Sequence, residues 1–128
     1  MNLKIENMNT ELAQEMTKDL PHFSGSEQMW EHRTFAGKML LTDGANYIRE
    51  KAEARWLFDI IHSYQPQLRN QEFQVWTLEK VNDTAFIVTC TDGNSIKLIS
   101  QKISFSDFPL NSITLWKVNE VVLLPSEY

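Results

Sequence analysis

The side chains able to do chemistry in this chain are three histidines, a single cysteine and scattered carboxylates, and their spacing decides what each could do. His22, His32 and His62 have no partner among themselves three or four residues away, so no two share a helix face that could hold a metal ion. His62 follows Asp59 by three residues and precedes Ser63, which assembles the residue types of a hydrolase triad. Adjacent helical residues point in different directions, however, and no G-x-S-x-G turn occurs, so a helix-surface histidine near a carboxylate is the expected role. Cys90 stands alone and falls in an apolar stretch, where a thiol behaves as a small hydrophobe with a raised pKa rather than as a nucleophile. Ser24-Gly25-Ser26 lacks the lysine and the preceding strand of a phosphate-cradling loop. Glu31 beside Trp30 and Asp59 beside Phe58 carry no spacing signature of a glycosidase pair. The residues indicate no cofactor, and none of these groups specifies an activity.

Composition narrows the classes further. The 128 residues are 42% hydrophobic and 11% aromatic, enough for one domain with a proper core and against disorder. No apolar run approaches the roughly 20 residues of a membrane helix, and the amino-terminal segment lacks a signal peptide's apolar stretch. With the lone cysteine this points to a reducing, cytoplasmic setting. Seventeen acidic and twelve basic residues give a net charge of -5 without a block of either sign, which disfavours nucleic acid, whose backbone asks for clustered Lys and Arg.

The element expected to organise the chain spans residues 42–65. Ala45, Ile48, Ala52, Trp56, Ile60 and Tyr64 recur at spacings of three and four, and Leu57 and Ile61 widen that stripe toward a core. Thr42 and Asp43 can each offer a side-chain oxygen to the first turn, and Pro66 ends the helical geometry. One helix of about six turns, or two bent near Glu53, satisfies the pattern equally. Arg49 with Glu53, and Arg55 with Asp59, fall at i,i+4 on the outer, solvated face. Ahead of it, residues 1–8 show no period and read as a frayed end, and Thr10 is placed to cap a helix over 10–19 with Leu12 and Met16 on one face. Residues 27–33 are ambiguous between a helix start and a short strand, and 38–41 form a brief apolar run of open state.

After Pro66, β-branched and aromatic residues take over, with strands expected at 72–81, 85–91, 95–103, 113–118 and 121–124. Asn82-Asp83, Asp92-Gly93-Asn94 and Asn119-Glu120 supply turns, while Pro109 makes 105–111 the longer connection. Adjacent Leu98 and Ile99 break alternation and predict a bulge or two-sided burial. The expected fold is therefore α+β: N-terminal helices packed on a C-terminal antiparallel meander of four or five strands. Residues 1–128 form a single domain, with a helical extension at 1–21, a helical half at 22–66 and the sheet at 67–128.

The order T-D-G, A-R-W-L-F-D-I-I-H-S-Y-Q, E-F-Q-V-W, C-T-D-G-N, F-P-L and a terminal L-L-P-S-E-Y resembles a family of small bacterial proteins known only as domain of unknown function 6876, over roughly residues 22–128. The resemblance implies a bacterial or mobile-element origin and carries no catalytic residue with it.

Four tryptophans remain to be placed. Trp56 is expected in the core; Trp76 lies opposite Phe73, Val75 and Thr77, and Trp116 has the same two-faced surroundings. If helices cover only one sheet face, an aromatic set stays exposed on the other and marks a partner surface; alternatively the amino-terminal helix covers it. The function expected from this is a non-enzymatic interaction or inhibitor-like accessory protein, binding a protein partner or its own copy. Trp76 and Trp116 form its first candidate surface, and the outer helix face around Arg55, Asp59 and His62 the next. The alternative is a small-molecule or catalytic domain with a pocket between helix and sheet.

Overall fold

A computed structural model describes the backbone of residues 3–128 and the side chains of residues 9–128. Three helices, α1 (Leu3–Asp19), α2 (Asp43–Lys51) and α3 (Arg55–Ser63), accompany seven strands. The strands are β1 (Trp30–Thr34), β2 (Gly37–Leu41), β3 (Phe73–Lys80), β4 (Phe86–Thr91), β5 (Lys97–Ile103), β6 (Ser112–Val118) and β7 (Val121–Leu123). They form one sheet in the order β1-β2-β7-β6-β3-β4-β5. All neighbours are antiparallel except β2 and β7, which run parallel.

The α+β class and the five C-terminal strands agree with the sequence. The strand count and the purely antiparallel meander do not. The segment expected as a helical half also holds the hairpin β1–β2, whose turn needs Gly37 at φ 126°, and this hairpin joins the sheet through β7. Its buried positions are only His32, Met39 and Leu41, so two five-residue strands with one and two buried residues gave little alternation to read. The link from β5 returns past β4 and β3 to bring β6 beside β3, so the sheet is not a simple meander. Phe108 of that link is buried, edge-on to Phe86, which holds the connection against the core. The irregularity expected at Leu98-Ile99 is a register shift opposite Cys90 and Thr91.

The central helical stretch is two helices. Thr42 caps α2 by accepting from the Ala45 amide, as its residue type suggests. Asp43 turns away from the helix instead, accepting from the Glu27 amide and the Trp30 indole, both at 2.9 Å. The helix breaks at Glu53, whose φ is 50°. The break shifts the phase of the apolar stripe, so Ala45, Ile48 and Ala52 are continued by Leu57, Phe58 and Ile61. Trp56, Ile60 and Tyr64 lie at its margin, and the expected core position of Trp56 is corrected to a half-buried one. Arg49, expected on the solvated face, is buried.

The first helix starts at Leu3, which places Thr10 inside it rather than at its cap; Met1 and Asn2 of the expected frayed end lie outside the described residues. Met16 is wholly buried and Leu12 packs beside it. Asp19 accepts from the Tyr47 hydroxyl at 2.7 Å, and Glu15 meets Lys51 at 2.8 Å, so α1 docks on α2. At the other end Glu127 locks the C-terminus to the start of α2. Its carboxylate accepts from the Thr42 hydroxyl at 2.6 Å and from the Gly44 and Leu124 amides at 2.9 Å. Gly44 makes this possible, since a Cβ there would sit 2.5 Å from both the Glu127 carboxylate and Leu124.

Candidate interaction face

Strand register assigns each residue to one side of the sheet, because successive side chains point to opposite faces. On β3, Gln74, Trp76 and Leu78 are buried while Phe73, Val75 and Thr77 are half-exposed. Trp76 lies between Cys90 and Leu115, and Gln74 beside Lys117, which pairs in turn with Val122. This is the side the helices cover: Trp76 meets the ring of Tyr64, and His32 meets Phe58 of α3. Every strand residue of the buried hydrophobic core except Leu123 belongs to it.

Among the described residues, no α-helix lies over the opposite side, though the short 3-10 helix Pro125–Glu127 leads Tyr128 onto it. Its centre is Trp116 on β6, paired with Val75 and Leu123, with Phe73 and Val118 forming the next row. Phe73 and Tyr128 flank the indole edge-on, with ring centroids 5.3 and 5.5 Å away. Gly93, at φ 90°, leaves room for the Phe73 ring, which a Cβ would meet at 2.7 Å. Around this ridge stand Thr77, Thr114, Ile87, Thr89 and Thr91, all half-exposed. On the four strands β7, β6, β3 and β4, this side carries a single charge, Glu79 at one end. The other charges, Glu31, Arg33, Lys38, Lys97 and Lys102, lie toward the sheet edges, where Glu31 is held by Arg33 at 2.8 Å and Lys38 at 3.0 Å.

The titratable groups gather on the covered side instead. His32 is fully buried; its Nδ1 accepts from Arg49 at 3.1 Å, and its Nε2 therefore carries the hydrogen it donates to Asp59 at 2.7 Å. Arg49 also donates to the Glu31 carbonyl and to Asn46, and burial lowers its pKa. His62, expected at the surface, is buried and bonded through Nδ1 to the Thr34 hydroxyl at 2.9 Å. Burial pushes both histidines down, with the charge of Arg49 adding to the effect at His32 and that of Lys117 at His62. Lys117 is buried too, its pKa lowered by that burial, and its ammonium donates to the Asn119 carbonyl. Gln65 and Gln74 exchange reciprocal amide bonds, and the Trp76 indole donates to Gln74 at 2.8 Å. These contacts satisfy buried polar groups. Cys90 is fully buried and its thiol pushed up to about 12, so it is held as the unreactive thiol. Among the described residues no three His, Cys, Asp or Glu side chains group as metal ligands.

The five candidate surface residues are thus separated. Trp116 sits on the open face, whereas Trp76 is 1% exposed beneath the helices and cannot contribute to a surface. Arg55 and Asp59 are exposed on α3, on the covered side, and His62 between helix and sheet is buried. Sequence reasoning missed Tyr128 and the apolar β7 positions as members of the face; Phe73 and Val75 were legible, because they alternate with Trp76. The space between helices and sheet, expected in the alternative as a pocket, is filled by Phe58, Ile61, Trp76 and Leu115. An open cleft of about 950 Å³ lies at the surface instead, bordered by Leu40, Lys117, Glu120 and Tyr128 among others.

These features define a class: an α+β domain with one helix-covered and one open sheet face. The chain belongs to a family of unknown function, DUF6876, whose model matches residues 14–128 and so includes the last six residues of α1. No curated protein and no solved structure matches it. No helix among the described residues is long and apolar enough to cross a membrane.

Proposed function

We propose that the protein works by binding another protein through its open sheet face and catalyses no reaction. The observation that carries this reading is the aromatic ridge Phe73–Trp116–Tyr128, with Phe73 and Trp116 half-exposed and Tyr128 exposed, over central strands whose open side carries only Glu79 as a charge. A sheet face meant for water ordinarily alternates polar and charged residues outward, and a contiguous apolar patch on such a face is a usual mark of a partner surface. Trp and Tyr at the middle of a patch supply much of the binding energy of interfaces. The chemistry-bearing side chains support the same reading, because His32, His62, Arg49 and Lys117 are committed to internal contacts. The reading is tested by recovering tagged full-length protein, wild type and Trp116→Lys, from cells of its source. Loss of the wild type's bound protein, its own untagged copy included, from a folded variant is the expected result. Equal recovery by both would overturn it.

A further inference from the structure

Resting on the reading of the open face as a binding surface, we infer that its occupant is a second copy of this chain, packed sheet against sheet about a two-fold axis. The first argument is size. Seven strands at about 4.8 Å spacing, with about six residues each at about 3.3 Å, give a face on the order of 600–700 Å². A stable interface takes about 800 Å² of accessible surface from each partner, so one face against its copy is of the needed scale.

The second argument is symmetry. A two-fold interface sets each patch against itself, so its centre meets its own copy. The centre here is β6, the fourth of seven strands, and it bears Trp116. An axis through that residue brings the two indoles together at the middle of the contact, where anchoring residues concentrate, with the β-branched Val75, Thr77 and Thr114 around them. Two sheets pack about 10 Å apart with interdigitating side chains of this kind, as the layers of a β-sandwich do.

The third argument is charge. The chain carries -5, so two copies repel through most of their surfaces. The open face has no acidic excess: Arg33, Lys38, Lys97 and Lys102 stand against Glu31 and Glu79, all away from the centre. Contact through this side buries no like charges at its middle and leaves the acidic excess on the outer, helical sides of the pair.

The test places a photo-activated crosslinker, p-benzoylphenylalanine, at Thr114 of the full chain in living cells, with Thr77 as a second site and Arg55 on the covered side as control. Folding of each variant is checked by circular dichroism. An adduct of twice the chain mass that contains only this chain's peptides, formed from Thr114 or Thr77 and lost with Trp116→Lys, is the expected result. An adduct with a different protein would overturn the copy as occupant while leaving the face as a binding surface. Folded variants that crosslink to nothing from either position would overturn both.

Discussion

Val75 and Trp76 are chain neighbours on the same strand, yet they belong to two different environments. Trp76 is buried under α3 with its indole hydrogen bonded to Gln74; Val75 lies half-exposed beside Trp116 on a face without α-helices. The covered face holds most of the large buried side chains, and its polar groups are internally bonded apart from Arg49 Nε. The open face carries medium β-branched residues, one aromatic ridge and almost no charge across its central strands. What separates them is the second layer: helices cover one face, whereas on the other the ring of Tyr128 packs on Trp116 and the neighbouring β-branched residues stay half-exposed.

The largest effect that sharpens this contrast is on stability. Trp76→Ala is expected to cost about 3–5 kcal/mol in denaturant titration, as large aromatic deletions in cores do. Glu127→Ala removes the carboxylate that ties the C-terminus to α2 and is expected to cost about 1.5–3 kcal/mol, since its bonds are charge-assisted and partly buried. Trp56→Ala, at the margin of the covered layer, is expected to fall below the Trp76 variant, at about 1–2 kcal/mol, and a larger loss would return it to the core. Acid acts on the covered side as well. His32 and His62 are held below the ordinary value of 6.5, so the unfolded chain binds more protons than the folded one as pH drops through that value. Stability should therefore fall as pH is lowered below about 6.5, and His32→Phe with His62→Phe should flatten that slope. A slope unchanged in the double variant would assign it to carboxylates.

Much of this contrast was legible in the sequence. The five C-terminal strands and their turns follow from β-branched runs and Asp-Gly or Asn-rich joints, and the alternation in F-Q-V-W-T-L already put Trp76 and Val75 on opposite sides. Which side the helices take was not legible, since Phe73 and Val75 are as apolar as Trp76 and Leu78; only the packing of Phe58, Ile61 and Tyr64 decides it. The β1–β2 hairpin was hidden because its pairing with β7 is set by residues 81 positions apart, Leu40 with Val121 and Leu41 with Val122. Burial of Arg49, His32 and His62 was hidden for the same reason: each depends on partners brought in by the hairpin or by α3, such as Thr34 for His62 and Asp59 for His32. The break at Glu53, a left-handed non-glycine residue, has no local signature and left the helix phase open.

The most direct test of the open face uses the smallest expected change in stability. Sedimentation equilibrium of wild type and Trp116→Lys over about a hundredfold concentration range, with thermal melts of both, separates association from folding. The account predicts a wild type that associates with rising concentration and a variant that stays monomeric while melting within a few degrees of the monomeric wild type. A variant that associates as the wild type does, or one that unfolds as Trp76→Ala should, would contradict it.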